Sequence, residues 1–276
     1  QWLTREKIVN TLHENGIRTL EAQGTVTKRL YPSSELRMMS DIDFIIDFEN
    51  LEKAMTLMKS LGYEISQKQP VEFDARIEDS ELIEFHTDFF TEYMYNRKER
   101  YSGAVSSPFE YASAAEDDLL SFELSDTYYY LFTVLHTIAH FETMGCGIRR
   151  VLDLYYLKKA LNGKVDKDVI KGVIDGNDLR KSYDALFALE EYWFENKMPS
   201  FDLSETVHDV ILSGNHGTDA IFTRNNLRKD ELSGVKFPKL KRIVKFVFPD
   251  KEYIYLGYPM CRERGYSTVR SWLYRI

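Results

Sequence analysis

A small mixed β-sheet with helices packed against it, leading into a largely helical second half, is the α+β (mixed α/β) architecture this sequence predicts. Two observations carry that expectation. Up to about residue 100, short runs that alternate polar and apolar residues are interleaved with runs of helical period. Beyond a loop rich in Ser, Gly and Pro at 102–108, the pattern is helical almost throughout. Two domains are expected, 1–115 and 116–276, the second forming the other wall of a cleft.

Thr4 is placed to cap a first helix that runs to about Asn15, where Glu14-Asn15-Gly16 stops it. Residues 17–22 read as a strand. Gly24 then opens a turn into a helix over 26–30, which Tyr31-Pro32-Ser33-Ser34 breaks. Asp41 to Asp47 alternates charged and apolar residues and then runs Phe44-Ile45-Ile46, as a strand does when it is buried on one face at its start and more deeply later. Asn50 is expected to cap a helix with apolar positions Leu51, Ala54, Met55, Met58 and Leu61, ended by Gly62. Two β-like runs, 71–77 and 81–85, flank Glu78-Asp79-Ser80 as a hairpin turn. This order of elements points to a small mixed sheet. Helices are then expected near 126–142, 147–161, 166–175, 179–195, 203–213 and 239–247. The last has Leu240, Ile243, Val244, Val247 and Phe248 on one stripe, with Lys239, Lys241, Arg242 and Lys245 elsewhere. One stripe is what any packed helix needs, so a core-facing helix with a solvated basic back is preferred to one lying on a membrane surface.

The 276 residues are 43% apolar, 14% aromatic and 29% charged, the profile of a globular protein with a sizeable core. A net charge of −8 argues against a general duplex nucleic-acid binder, while a local basic patch remains compatible with it. Cys146 and Cys261 form no CxxC pair, which fits packing thiols in a reducing cytoplasm. No apolar run reaches the roughly 18–20 residues that span a bilayer, and the first six residues do not read as a signal peptide. The expected location is the cytoplasm.

The chemistry concentrates around Asp41-Ile42-Asp43. On a strand both carboxylates project to the same side. They repel one another unless a cation lies between them, and Mg²⁺, with Mn²⁺ as its substitute, favours such oxygen ligands. Paired carboxylates of this kind hold ions for in-line phosphoryl transfer. Upstream, Gln23-Gly24-Thr25 opens a helix at which phosphates can approach backbone N–H groups. D-x-D alone reads as a solvated strand edge; joined to the Gly-Thr turn it becomes a candidate site. Glu84 lies between apolar neighbours in Leu82-Ile83-Glu84-Phe85-His86 and should be paired or ligate a metal, the alternative being an outward-facing edge residue. If its strand lies beside that of Asp41 and Asp43, it completes a metal cage. His86 shares its face, in contact with substrate or as a structural residue.

The ordered set Gly24, Leu30-Tyr31-Pro32, Leu36-Arg37, Ser40-Asp41-Ile42-Asp43-Phe44, Leu61-Gly62-Tyr63 and Ile83-Glu84-Phe85-His86 resembles the uncharacterised bacterial nucleotidyltransferase family, a branch of the polymerase-β-like nucleotidyltransferase superfamily. His136-Thr137-Ile138-Ala139-His140 and Ile148-Arg149-Arg150-Val151-Leu152-Asp153 resemble that family's two-histidine and R-x-L-x-D helices, so the likeness covers nearly the whole chain. The resemblance implies that 1–115 is the catalytic core. It implies that Gly24 and Thr25 form the phosphate loop, and that Asp41, Asp43 and Glu84 are metal ligands. Glu84 would also serve as general base on the acceptor hydroxyl. Arg37 is then either a phosphate contact or half of an ion pair holding the loop. Gln23 departs from the family's usual Lys, which implies weaker nucleotide affinity if that Lys contacts the triphosphate. His136 and His140 share a helix face; H-T-I-A-H lacks the Glu a zinc protease needs, so a polar patch facing the cleft or a satisfied core pair is preferred to a metal site. Arg149 and Asp153, also four apart, read first as an intrahelical ion pair and second as a substrate contact.

Two functions follow from this reading. One is transfer of a nucleoside monophosphate from an NTP to a hydroxyl of a small molecule, protein or RNA, with pyrophosphate released. The acidic charge argues mildly against a nucleic-acid acceptor. The other is a weak or inactive member of the fold that senses nucleotides or binds a protein partner in the manner of an antitoxin.

Overall fold

The computed structural model describes residues 2–21, 23–69, 71–78, 81–90, 101, 105, 107–214, 217–232, 234–248, 251, 254, 260–261 and 264–275. Their strands are β1 (Thr19–Glu21), β2 (Asp41–Ile45), β3 (Glu64–Gln69), β4 (Glu72–Arg76), β5 (Leu82–His86), β6 (Ala112–Ala114) and β7 (Ser121–Leu124). They form one mixed sheet in the order β3-β4-β5-β2-β1-β7-β6. The β2–β5 and β1–β7 pairs are parallel, and the others are antiparallel.

Alternation along β2 and β5 decides which face does what. Ile42 and Phe44 from β2 and Ile83 and Phe85 from β5 point into one core, with Phe73 and Ala75 of β4. Helix α1 (Trp2–Glu14) covers them with Ile8, Val9 and Leu12, and α3 (Leu51–Ser60) with Leu51, Ala54 and Met58. Phe85 stacks between Phe44 and Phe73 at centroid distances of 5.6 and 4.5 Å. Burying each such ring stabilises the fold by roughly 1.5–3 kcal/mol. A slip of one residue would drive Asp41, Asp43 and Glu84 into this core, so the hydrophobic register also aims the carboxylates.

The opposite face is covered at one end by helices. Ile45 and its partner Leu20 belong to a second core with Phe89, Phe90 and Phe132. Helix α4 (Asp126–Glu142), buried on nearly every side, runs through this core. Around it lie α5 (Ile148–Ala160), α6 (Lys167–Gly176), α7 (Arg180–Phe194) and α8 (Ser204–Leu212). Further on come α9 (Asp219–Leu232), α10 (Pro238–Val247) and α11 (Thr268–Arg275). Between β1 and β2, the short helix α2 (Gly24–Lys28) carries the Gly-Thr turn. The contacts divide the chain into two compact units, Gln1–Ile221 and Phe222–Ile276.

Several local expectations are corrected. Thr4 is not a cap, because α1 begins at Trp2; its hydroxyl instead faces Glu81 at 3.5 Å. Asn50 closes a 3₁₀ turn and gives no side-chain cap to α3. Strands β3, β6 and β7 carry no strong alternation of apolar residues and acquire their structure from pairing. Helices α9 and α11 were likewise not anticipated by periodicity. The turn 78–80 falls partly outside the described residues. Helix α10 was expected to face a core, yet Leu240, Ile243, Val244 and Val247 are exposed. A periodic stripe shows that one face is apolar without showing what covers it.

Candidate functional site

Parallel pairing of β2 with β5 sets Asp43 directly opposite Glu84. Asp41 lies two residues earlier on the same face, and His86 two residues beyond Glu84. The neighbouring β4 places Glu72 opposite His86. His86 Nε2 thereby lies 3.6 Å from Asp43 Oδ1 and 3.7 Å from Glu84 Oε2, with its Nδ1 3.4 Å from Glu72 Oε2. Burial alone would lower the imidazole pKa. The close carboxylates of Asp43, Glu72 and Glu84 outweigh that and push it well above the usual 6.5. With no ion bound, the surrounding acids thus favour the protonated form of His86.

Donor atoms of Asp43, Glu84 and His86 all lie within 4.8 Å of one another, a separation a single metal ion bridges. Two carboxylates and an imidazole, with a further carboxylate beside them, suit a divalent cation. Asp41 is close enough to feel the cluster without joining that set. Burial and the charges of Asp43 and Glu84 raise its carboxyl to about 6, against the smaller pull of Arg149 and Arg150. Because the folded value exceeds the unfolded one, ionising Asp41 costs stability as pH rises from about 4 through 6. Without divalent ions, Asp41→Asn should therefore gain Tm relative to wild type between pH 5 and pH 8. A constant offset in paired thermal melts would refute this assignment.

The turn ahead of β2 is pinned from both sides. Gly24 is buried, and a Cβ there would meet Met39 Cε at 3.2 Å. Thr25 donates its hydroxyl to Glu21 at 2.6 Å, and Glu21 is gripped by Arg5. The Thr25 side chain is thus spent on structure, which leaves the backbone N–H groups at the start of α2 as its only offer to a phosphate. Thr27 bonds Tyr129 at 2.8 Å, and Tyr31 donates to Asp153 at 2.6 Å. Arg37, considered above as a phosphate contact, is buried, with all three of its nitrogens donating to protein acceptors. Its Nε and Nη2 donate to the two Asp153 oxygens at 2.8 and 2.9 Å, and its Nη1 to the Gly24 carbonyl at 3.1 Å. Of the two readings of Arg37, the geometry matches the ion pair that holds the loop.

The expected Arg149–Asp153 pair does not form, because Arg37 takes Asp153. Arg149 donates Nη1 to the Met38 carbonyl at 3.0 Å, and its buried Nε has no partner. Burial and the adjacent Arg37 and Arg150 lower its pKa, opposed by Asp153 and Asp41. That Nε is enclosed by protein, so what Arg149 brings to the neighbourhood of Asp41 is the charge of its guanidinium.

His136 and His140 form part of a chain. The Gln23 amide bonds His136 Nδ1; His136 and His140 meet through their Nε2 atoms at 2.7 Å; Arg150 Nη2 lies 3.0 Å from His140 Nε2. The Gln23 amide and the Arg150 guanidinium thus approach the pair from its two ends. Burial, then His140, Arg150 and His86, depress His136 well below 6.5. Gln23 is thus linked to α4. Sequence reasoning missed Glu72, Tyr31 and Arg150. Glu72 offered a faint signal, an acid two residues before Asp74 in an alternating strand.

The mixed sheet presents acids from neighbouring strands beside imidazole and guanidinium groups, a donor set whose chemistry suits a divalent cation. The model of the family described as an uncharacterised nucleotidyltransferase matches residues 3–195, and this chain belongs to that family. Nucleotidyl transfer is accordingly the class of chemistry it represents. No curated protein matches the chain. Among solved structures, the solution structure of the antibiotic-resistance factor ANT(2'')-Ia is similar at 14% identity, over 68% of this chain and 95% of that one, with a TM-score of 0.44. That likeness is too distant to carry an argument. No described helix is long and apolar enough to cross a membrane.

Proposed function

We propose that this protein is a Mg²⁺-dependent nucleotidyltransferase that moves a nucleoside monophosphate from an NTP to a hydroxyl acceptor and releases pyrophosphate. The observation that carries this reading is the set of acids on one face of adjacent parallel strands, Asp41 and Asp43 with Glu84 in register. In this reading Asp43, Glu84 and Asp41 hold the cation, which takes the place of the proton that His86 carries when no ion is bound. A divalent ion held there would supply neutralising charge to the phosphates and Lewis acidity toward the acceptor oxygen. The protein's own residues do the rest. The N-terminus of α2 receives phosphate through backbone N–H groups, the positive charge of Arg149 attracts the triphosphate, and Glu84 takes the acceptor proton. The helices carrying His136, His140 and Arg149 form the facing wall and select a small-molecule or protein acceptor in the cytoplasm.

A second reading, a nucleotide sensor or partner-binding subunit, is favoured by one contact. Gln23 is uncharged and engaged with His136, so the turn lacks the cation that the family's usual Lys would bring. Calorimetric titration of each NTP with Mg²⁺ separates the two. Divalent-dependent binding to wild type, absent in Asp41→Asn/Asp43→Asn, is the expected result. Folded wild type that binds no NTP would overturn the site, and NTP binding without pyrophosphate release in the presence of cellular acceptors would select the sensor.

A further inference from the structure

The unit Phe222–Ile276 differs sharply in charge from the rest of the chain. It holds thirteen Lys and Arg against five Asp and Glu, a charge of +8 within a chain of −8, so residues 1–221 carry −16. The concentration is greatest at 232–249, where Lys236, Lys239, Lys241, Arg242 and Lys245 occur with no carboxylate. Helix α10 lies in that stretch and presents Leu240, Ile243, Val244 and Val247 at 57, 60, 49 and 44% exposure, with Phe237 and Phe248 exposed at its ends. Lys241 pairs with Asp230 at 3.1 Å.

Cations and aliphatic side chains on one short helix restrict what can cover it. A nucleic-acid groove would reward the cations and gain nothing from four aliphatic chains in a row. An anionic lipid surface rewards both, the stripe at the acyl boundary and the cations among the headgroups. Ten residues make about 15 Å of helix, half the roughly 30 Å of a bilayer core, so α10 can lie in the surface but not cross it. We propose that α10 docks this protein on an anionic phospholipid surface. The docking element lies outside the family match at 3–195, so it stands independently of the chemistry proposed for the acids.

Co-sedimentation of the full chain with vesicles tests this. Wild type should pellet with vesicles of phosphatidylcholine and phosphatidylglycerol, stay in solution with pure phosphatidylcholine, and release as salt rises. Ile243→Glu/Val247→Glu should lose binding at least about tenfold, with an unchanged circular dichroism spectrum and thermal melt as the check on folding. Lys239→Glu should weaken it less. Wild type that ignores anionic vesicles would overturn the proposal. So would an Ile243→Glu/Val247→Glu protein that pellets like wild type, because the stripe would then contribute nothing. Retention of an RNA oligonucleotide in place of vesicles, indifferent to that pair of substitutions, would assign the basic unit to nucleic acid and equally refute lipid docking.

Discussion

Asp43→Asn should reduce magnesium-dependent pyrophosphate release from NTP by about 10³-fold or more while leaving the fold intact. Asn preserves shape and removes the charge from the residue that stands in register with Glu84 and lies 3.6 Å from His86. The cation would lose one of its carboxylates at the point where β2 and β5 converge. The loss should appear in turnover and in divalent affinity together, because one group serves both. Stability should change little, since removing one acid from a crowded cluster relieves repulsion even as it weakens the hold on His86. The readout is pyrophosphate release with a deproteinised cell extract as the source of acceptors, alongside circular dichroism. Turnover within about tenfold of wild type would show that the transfer site lies elsewhere.

The largest effect on stability is expected at Asp153. It accepts two hydrogen bonds from Arg37 and one from Tyr31, and both members of the ion pair are under a tenth exposed. Asp153→Ala would leave a guanidinium buried without its charge partner, a loss of roughly 3–5 kcal/mol. Tyr31→Phe removes only the third bond and should cost about 1.5–3 kcal/mol, the range for a bond to a charged group. Replacing the whole pair as Arg37→Met/Asp153→Leu should recover much of the Asp153→Ala loss, because no charge is then stranded. Urea unfolding of wild type, Arg37→Met, Asp153→Leu and the pair measures the coupling. Additive losses would mean that the two groups do not act as a unit. Arg37 also holds the Gly24 carbonyl, so loosening this pair should raise the KM for NTP more than it lowers kcat.

Much of the candidate site was legible because its spacing is local. The period of two in Asp41-Ile42-Asp43 places both acids on one side of any strand, and the apolar residues between them say which side is buried. The same logic placed Glu84 and His86 on one face of their strand. Helix α4 was anticipated at 126–142 because an apolar segment of that length between a Ser-Asp start and a turn has few other ways to be buried. Short, weakly alternating strands such as β6 and β7 carry no such signal, since their stability comes from partners distant in the chain.

By itself, then, the sequence determined the kind of fold, the strand that bears the acids and the family to which the chain belongs, all through patterns read over a few neighbouring residues. Tertiary structure decided the partners. It brought Arg37 to Asp153 across 116 positions in place of the local Arg149, set Glu72 against His86 through strand pairing, and turned the Thr25 hydroxyl to Glu21. It also left the stripe of α10 facing water where periodicity had suggested a core. The physical reason is the same in each case. Helix and strand periods constrain which residues share a face, whereas the choice among competing ion pairs and hydrogen bonds depends on burial and distance between segments that meet only when the chain has folded.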